Sequence, residues 1–72
     1  MNHLKQIRLK NKWTQQFVAD KVGITKATYS NIETQKRSPS LKVALQLQKL
    51  FEEPIEYLLE NINNDGSAPT KE

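Results

Sequence analysis

Along the first sixty positions the apolar residues recur three and four apart rather than in alternation. That is the period of a helix, not of a strand. Leu4 and Ile7 share one face of a first helix expected from about His3 to Lys10, with Asn2 as its N-cap. Thr14 can cap a second helix, Gln15 to Val22, whose apolar set is Val18, Ala19 and Val22. Gly23 then stands where a helix ends in a left-handed residue. Thr25 can cap a third helix, Lys26 to about Thr34, with Tyr29 and Ile32 as its apolar pair. Ser40 can cap a fourth, in which Leu41, Ala44, Leu45 and Leu47 precede Leu50 and Phe51. Pro54 is placed to open a short fifth helix carrying Ile55, Leu58 and Leu59. The β-branched residues are scattered, so the expected class is all-α.

From Asn61 onward the sequence is mostly polar, NINNDGSAPTKE. The expected organisation is therefore one domain over residues 1–62 and a polar, disordered tail over 63–72. A chain of 72 residues is expected to hold one small domain and no separate sensor. The absence of cysteine excludes disulfides and thiolate metal sites. No apolar run approaches the ~18 residues of a spanning helix, and the N-terminus lacks the apolar stretch of a signal peptide. A cytoplasmic protein is expected, with no membrane partner, cofactor or small-molecule ligand.

The charge is unevenly spread. Residues 1–51 carry ten lysines and arginines against two acids, Asp20 and Glu33, whereas residues 52–72 carry Lys71 against six acids. A basic body with an acidic end suits a polyanionic partner at the body. A solvated lysine-rich surface would show the same balance.

The informative segment is Thr14 to Glu33, two short helices joined by a turn that contains Gly23. Helices that cross closely need a small residue at the contact, and Ala19 supplies one. A reversal within three or four residues needs positive φ, which glycine adopts without steric cost. With Tyr29 and Ile32 turned to the core, Lys26, Ala27, Ser30, Asn31 and Thr34 fan over the opposite side. That side has no acid, whereas a purely solvent-facing helix usually carries Glu–Lys pairs. Its short polar residues suit approach to base edges.

Taken together, Thr14–Gln15, Val18–Ala19, Gly23, Thr25, Ile32–Glu33 and the run Lys36-Arg37-Ser38-Pro39-Ser40 resemble the phage repressor and Cro/C1-type helix-turn-helix family, also called XRE-like. The resemblance covers residues 3–60 or so. It implies a compact five-helix, repressor-like DNA-binding domain with its helix-turn-helix at 14–33. It further implies base contacts from Lys26, Ala27, Ser30 and Asn31, and phosphate contacts from Gln15, Thr25, Thr34, Lys36 and Arg37. Arg8 and Glu33 match a family ion pair that ties the first helix to the end of the third. In the family the residue at Gln15 donates to a phosphate and often braces the first side chain of the recognition helix. Three positions depart from the pattern. Thr34-Gln35 stands where Asn-Gly is common, Pro54 replaces a polar cap, and Phe17 stands where a polar residue is frequent. Phe17 is read as a surface aromatic or as a cover over Trp13.

These features point to a sequence-specific regulator of double-stranded DNA, expected to be a repressor that binds an inverted repeat as a homodimer. The surplus of apolar residues at the C-terminal end, Ile55, Leu58, Leu59 and Ile62, is the expected dimer interface, although Ile55 and Leu58 could equally close the domain's own core. The alternatives are a helical protein-interaction module and an antitoxin-type accessory regulator. An enzyme is not expected: His3 stands alone, and the acids Glu52, Glu53, Glu56 and Glu60 have no base, nucleophile or cleft beside them.

Overall fold

A computed structural model of the chain describes residues 2–60. The regular structure of these residues is five helices: α1 His3–Lys10, α2 Gln15–Val22, α3 Lys26–Glu33, α4 Leu41–Phe51 and α5 Ile55–Leu58. The expected tail over 63–72, together with Ile62, lies outside the described residues.

Four helices begin where a short polar side chain precedes them. Asn2 Oδ1 accepts from the N–H of Leu4 at 3.1 Å, and Thr14 Oγ1 from that of Phe17 at 2.9 Å. Thr25 Oγ1 accepts from Thr28 at 3.1 Å, and Ser40 Oγ from Val43 at 3.3 Å. Each such cap answers an otherwise orphaned donor and contributes about 1 kcal/mol. Helix α5 has no such cap, because Pro54 precedes it. Gln48 compensates from α4, its Oε1 accepting from the Ile55 N–H at 2.8 Å.

Gly23 ends α2 at φ 81°, and its N–H and that of Ile24 both reach the carbonyl of Ala19, at 2.9 and 3.0 Å. The reversal that follows sets α3 across α2, with Ala19 fully buried beside Val18, Tyr29 and Ile32. Helix α4 lies against α2, and α5 closes the base of the domain against α4 and α1. Leu4, Val22, Leu47, Phe51 and Leu58 complete the buried core. Trp13 packs at its rim, edge-on to Phe51 with ring centroids 5.6 Å apart.

Two expectations change here. Leu58 is completely buried in this domain's own core, so it has no surface to offer a second copy. Short α5 turns Leu58 inward beneath α1 and α4, and leaves Ile55 and Leu59 only half-buried. In α4, Leu41 and Leu45 are not core residues: they are 78% and 47% exposed.

Candidate nucleic-acid interface

The third helix is oriented by a polar lock on its inner face. Glu33 is 2% exposed and accepts four hydrogen bonds. Arg8 reaches it from α1 in two-pronged fashion, Nε to Oε2 at 2.8 Å and Nη2 to Oε1 at 3.2 Å. Tyr29 donates its hydroxyl at 2.7 Å, and Gln15 its side-chain amide at 3.1 Å. Arg8 spends a further N–H on the carbonyl of Trp13, at 2.9 Å. Beside it, Asn2 donates to the carbonyl of Ile32 at 3.0 Å. Both ends of α1 are thereby tied to the last turn of α3.

Burial alone would push the Glu33 carboxyl up. The bonds from Arg8, Tyr29 and Gln15 outweigh it and hold the group below the usual glutamate value. The same bond to Glu33 raises the Arg8 guanidinium above its ordinary value against the cost of burial. The Tyr29 phenol is raised far above its own, first by burial and then by the neighbouring carboxylate. At neutral pH the arrangement is a guanidinium, a carboxylate and a neutral phenol, so the acid in α3 adds no net repulsion toward a polyanion.

On the outer side of α3, Lys26 and Ala27 are exposed, and Ser30 and Asn31 are half-exposed beside them. Thr34, Lys36 and Arg37 continue the exposed surface beyond the helix. Asn31 also fixes that turn, its carbonyl accepting from the N–H groups of Lys36 at 2.8 Å and Arg37 at 3.2 Å. Gln35 turns the chain at φ 66°, the left-handed conformation that glycine usually supplies. The loop thus keeps its reversal with glutamine at the bend. Lys26, Gln15, Thr14 and Lys12 line one open depression at the start of α2. Thr28, Arg37 and Ser40 line another between α3 and α4.

Hydrogen-bond accounting alters three side chains. Gln15 gives one amide proton to Glu33 rather than bracing Lys26. Thr34 donates its only hydroxyl proton to the carbonyl of Ser30 at 2.9 Å, so in this rotamer it has none for a phosphate. Thr25 caps α3 and shares a proton with Thr28 Oγ1 at 2.8 Å. Thr28 is the neighbour that sequence reasoning passed over. Its signal was there in the Thr25–Thr28 spacing of i, i+3 at a helix start. Phe17 fills both of its expected roles, 37% exposed and against Trp13 with centroids 5.5 Å apart. His3 stacks on Tyr57 at 4.0 Å and faces Glu60 at 3.3 Å. Among the described residues, no group of three or more His, Cys, Asp or Glu could hold a metal ion, and no helix is long and apolar enough to cross a membrane.

A short helix locked from within, presenting a basic and acid-free outer face after a glycine turn, defines a helix-turn-helix nucleic-acid-binding domain. A family model described as helix-turn-helix matches residues 4–58. The chain is 35% identical over 69 residues to the HTH-type transcriptional regulator AnsR of Bacillus subtilis, covering 96% of this chain and 60% of that protein. It is 35% identical over 63 residues to the HTH-type transcriptional regulator YqaE of the same organism, covering 88% of this chain and 54% of that one. An HTH-type transcriptional regulator of Methanocaldococcus jannaschii is 40% identical over 55 residues, covering 76% of this chain and 83% of that protein. The chain belongs to the XRE-type helix-turn-helix family of DNA-binding regulators, which are not enzymes. It spans between half and two thirds of the length of the two Bacillus relatives.

Proposed function

We propose that the chain is a transcriptional repressor that occupies an inverted-repeat operator as a homodimer, with α3 in the major groove of each half-site. One observation carries this reading: the acid of α3 is buried and neutralised, while Lys26, Ala27, Ser30 and Asn31 stand outward on one basic, acid-free face. The ammonium of Lys26 suits guanine O6 and N7, the amide of Asn31 suits adenine N6 and N7, and the Ala27 methyl suits a thymine methyl. Lys36 and Arg37, with Gln15 and Thr25, hold the phosphate backbone on either side. Thr34 joins them only if its hydroxyl leaves the Ser30 carbonyl. The relatives' names as transcriptional regulators support the same role. Two half-sites about one helical turn apart, ~34 Å, fit a two-fold dimer.

The test is selection from a random duplex library, followed by single-base changes in the selected site at two salt concentrations. Lys26→Ala and Asn31→Ala are expected to cost ~1–3 kcal/mol on the selected site and to relax preference at one base pair per half-site. Lys36→Ala is expected to weaken good and poor sites alike and to lower the salt slope by about one unit. A library that returns no enriched sequence would overturn the reading. The opposite pattern of effects would overturn the docking.

A further inference from the structure

Leu41 and Leu45 lie one turn apart on α4, and at 78% and 47% they are the two most exposed leucines outside α1. They have no role in reading DNA, since an aliphatic side chain offers a phosphate nothing. They are not isolated either. Gln48 is about 20° from Leu41 around the helix, and it reaches α5 through its bond to the Ile55 N–H. The leucine stripe therefore runs directly beside α5, whose Ile55 and Leu59 are half-buried, with half-buried Ala44 between. This makes one continuous apolar strip, away from α3.

We propose that a second copy of this chain docks on this strip, with the two α4 helices antiparallel across a two-fold axis near Leu45. The proposal rests on the dimeric reading above and says where the dimer forms. Charge selects the orientation. Helix α4 carries Lys42 in its first turn, with Arg37 just ahead of it, and ends at Glu52 and Glu53. Antiparallel pairing sets the basic start of one helix beside the acidic end of the other, whereas parallel pairing sets like charge on like. A symmetric contact of this kind is closed and leaves both third helices free. The other exposed apolar patch, Leu9 with Trp13 and Phe17, is a poorer candidate. Lys21 already lies over the Phe17 ring, 5.4 Å from its centroid, and Lys10 and Lys12 stand nearby in sequence, so a second copy would meet its own positive charge.

The absence of cysteine allows a direct experiment on the full chain. Leu45→Cys should give a covalent dimer under mild oxidation, because a two-fold axis brings the two copies of that position together. Phe17→Cys should not. The pair Leu41→Glu with Leu45→Glu should raise the dimer dissociation constant at least about a hundredfold by sedimentation. It should leave the melting temperature and the affinity for an isolated half-site unchanged. A wild-type chain that is monomeric both alone and on a full operator would overturn the dimeric reading and this surface with it. A wild-type dimer that survives the two glutamates, or that crosslinks through Phe17→Cys and not through Leu45→Cys, would overturn this surface alone.

Discussion

Between α1, α2 and α3 the fastening is polar: Arg8, Gln15 and Tyr29 all converge on Glu33, and Asn2 holds the neighbouring carbonyl. Between α4, α5 and the rest it is apolar: Leu47, Phe51 and Leu58 are buried, and the link between the two helices is the single bond from Ile55 to Gln48. A buried hydrogen-bond network is directional and tolerates one arrangement, whereas an apolar layer accepts many. The polar half therefore sets the rotation of α3 about its own axis. That rotation decides which residues face a base edge. The apolar half supplies cohesion, and its surplus leucines face outward. A lock of this kind adds little net stability, because burying charge costs about as much as the pairing returns. Its value is orientation, and its weakness is the loss of any one member.

Removing the centre of the lock should have the largest effect. Glu33→Ala leaves a guanidinium that is only 8% exposed facing an empty site, along with an unpaired phenol. Breaking one side of a buried pair costs about 3–5 kcal/mol, a large share of the total for a domain of this size. Thermal denaturation followed by circular dichroism checks it, with Leu41→Ala as the exposed apolar control that should barely move. The same residue gives a pH signature. The carboxyl is held below its unfolded value of about 4.3. Its contribution is therefore complete above that value and is lost as pH falls through the folded value. Wild-type stability should decline over that acid window, and Glu33→Ala should decline less steeply. Equal acid slopes would show that the lock is not what the acid breaks.

A smaller and cleaner probe is Tyr29→Phe, which removes one oxygen and keeps the ring among Val18, Ala19 and Ile32. A hydrogen bond to a charged group contributes about 1.5–3 kcal/mol. The expected loss sits at the low end, because three other donors still hold the carboxylate. If the comparison between the halves holds, Tyr29→Phe should also reduce discrimination between operator variants, with phosphate-driven affinity for random duplex unchanged. A loss of stability with unaltered discrimination would mean that the phenol is cohesive only and that α3 is oriented without it.

Local chemistry was well written in the sequence. Asn2, Thr14, Thr25 and Ser40 cap the helices they precede, and Gly23 takes the left-handed turn, because caps and turns depend on residues within three or four positions. The fold class follows from the same periods. Which face of α4 is buried did not follow: leucine or alanine stands at 41, 44, 45, 47 and 50, so the apolar set wraps too far around the helix to choose a side. The convergence on Glu33 was legible only as a resemblance for Arg8. The parts played by Gln15 and Tyr29 depend on the crossing of α2 and α3, which no spacing encodes. For the same reason the burial of Leu58 needed the fold, since it depends on α5 turning back beneath α1.

The smallest expected effect lies in the apolar half and tests its independence from the lock. Glu52 follows α4 at φ 58° and ψ 38°, a left-handed cap in which only its backbone N–H is bonded, to the carbonyl of Gln48 at 2.8 Å. A side chain with a Cβ costs about 1–2 kcal/mol in that conformation, and an acid at a helix C-terminus opposes the helix dipole by a few tenths more. Glycine removes both but adds freedom to the unfolded chain, about 0.5–1 kcal/mol. Glu52→Gly should therefore stabilise the domain by about 0.5–1 kcal/mol, a rise of several degrees in melting temperature. Glu52→Ala relieves only the charge and should gain less. Measured at dilutions where the chain is monomeric, the glycine variant should keep the wild-type acid slope, since nothing in the α4 cap touches Glu33. If the gain instead disappears at the acid window where Glu33 titrates, the two halves are one cooperative device. The division between an orienting half and a cohesive half would then not describe this domain.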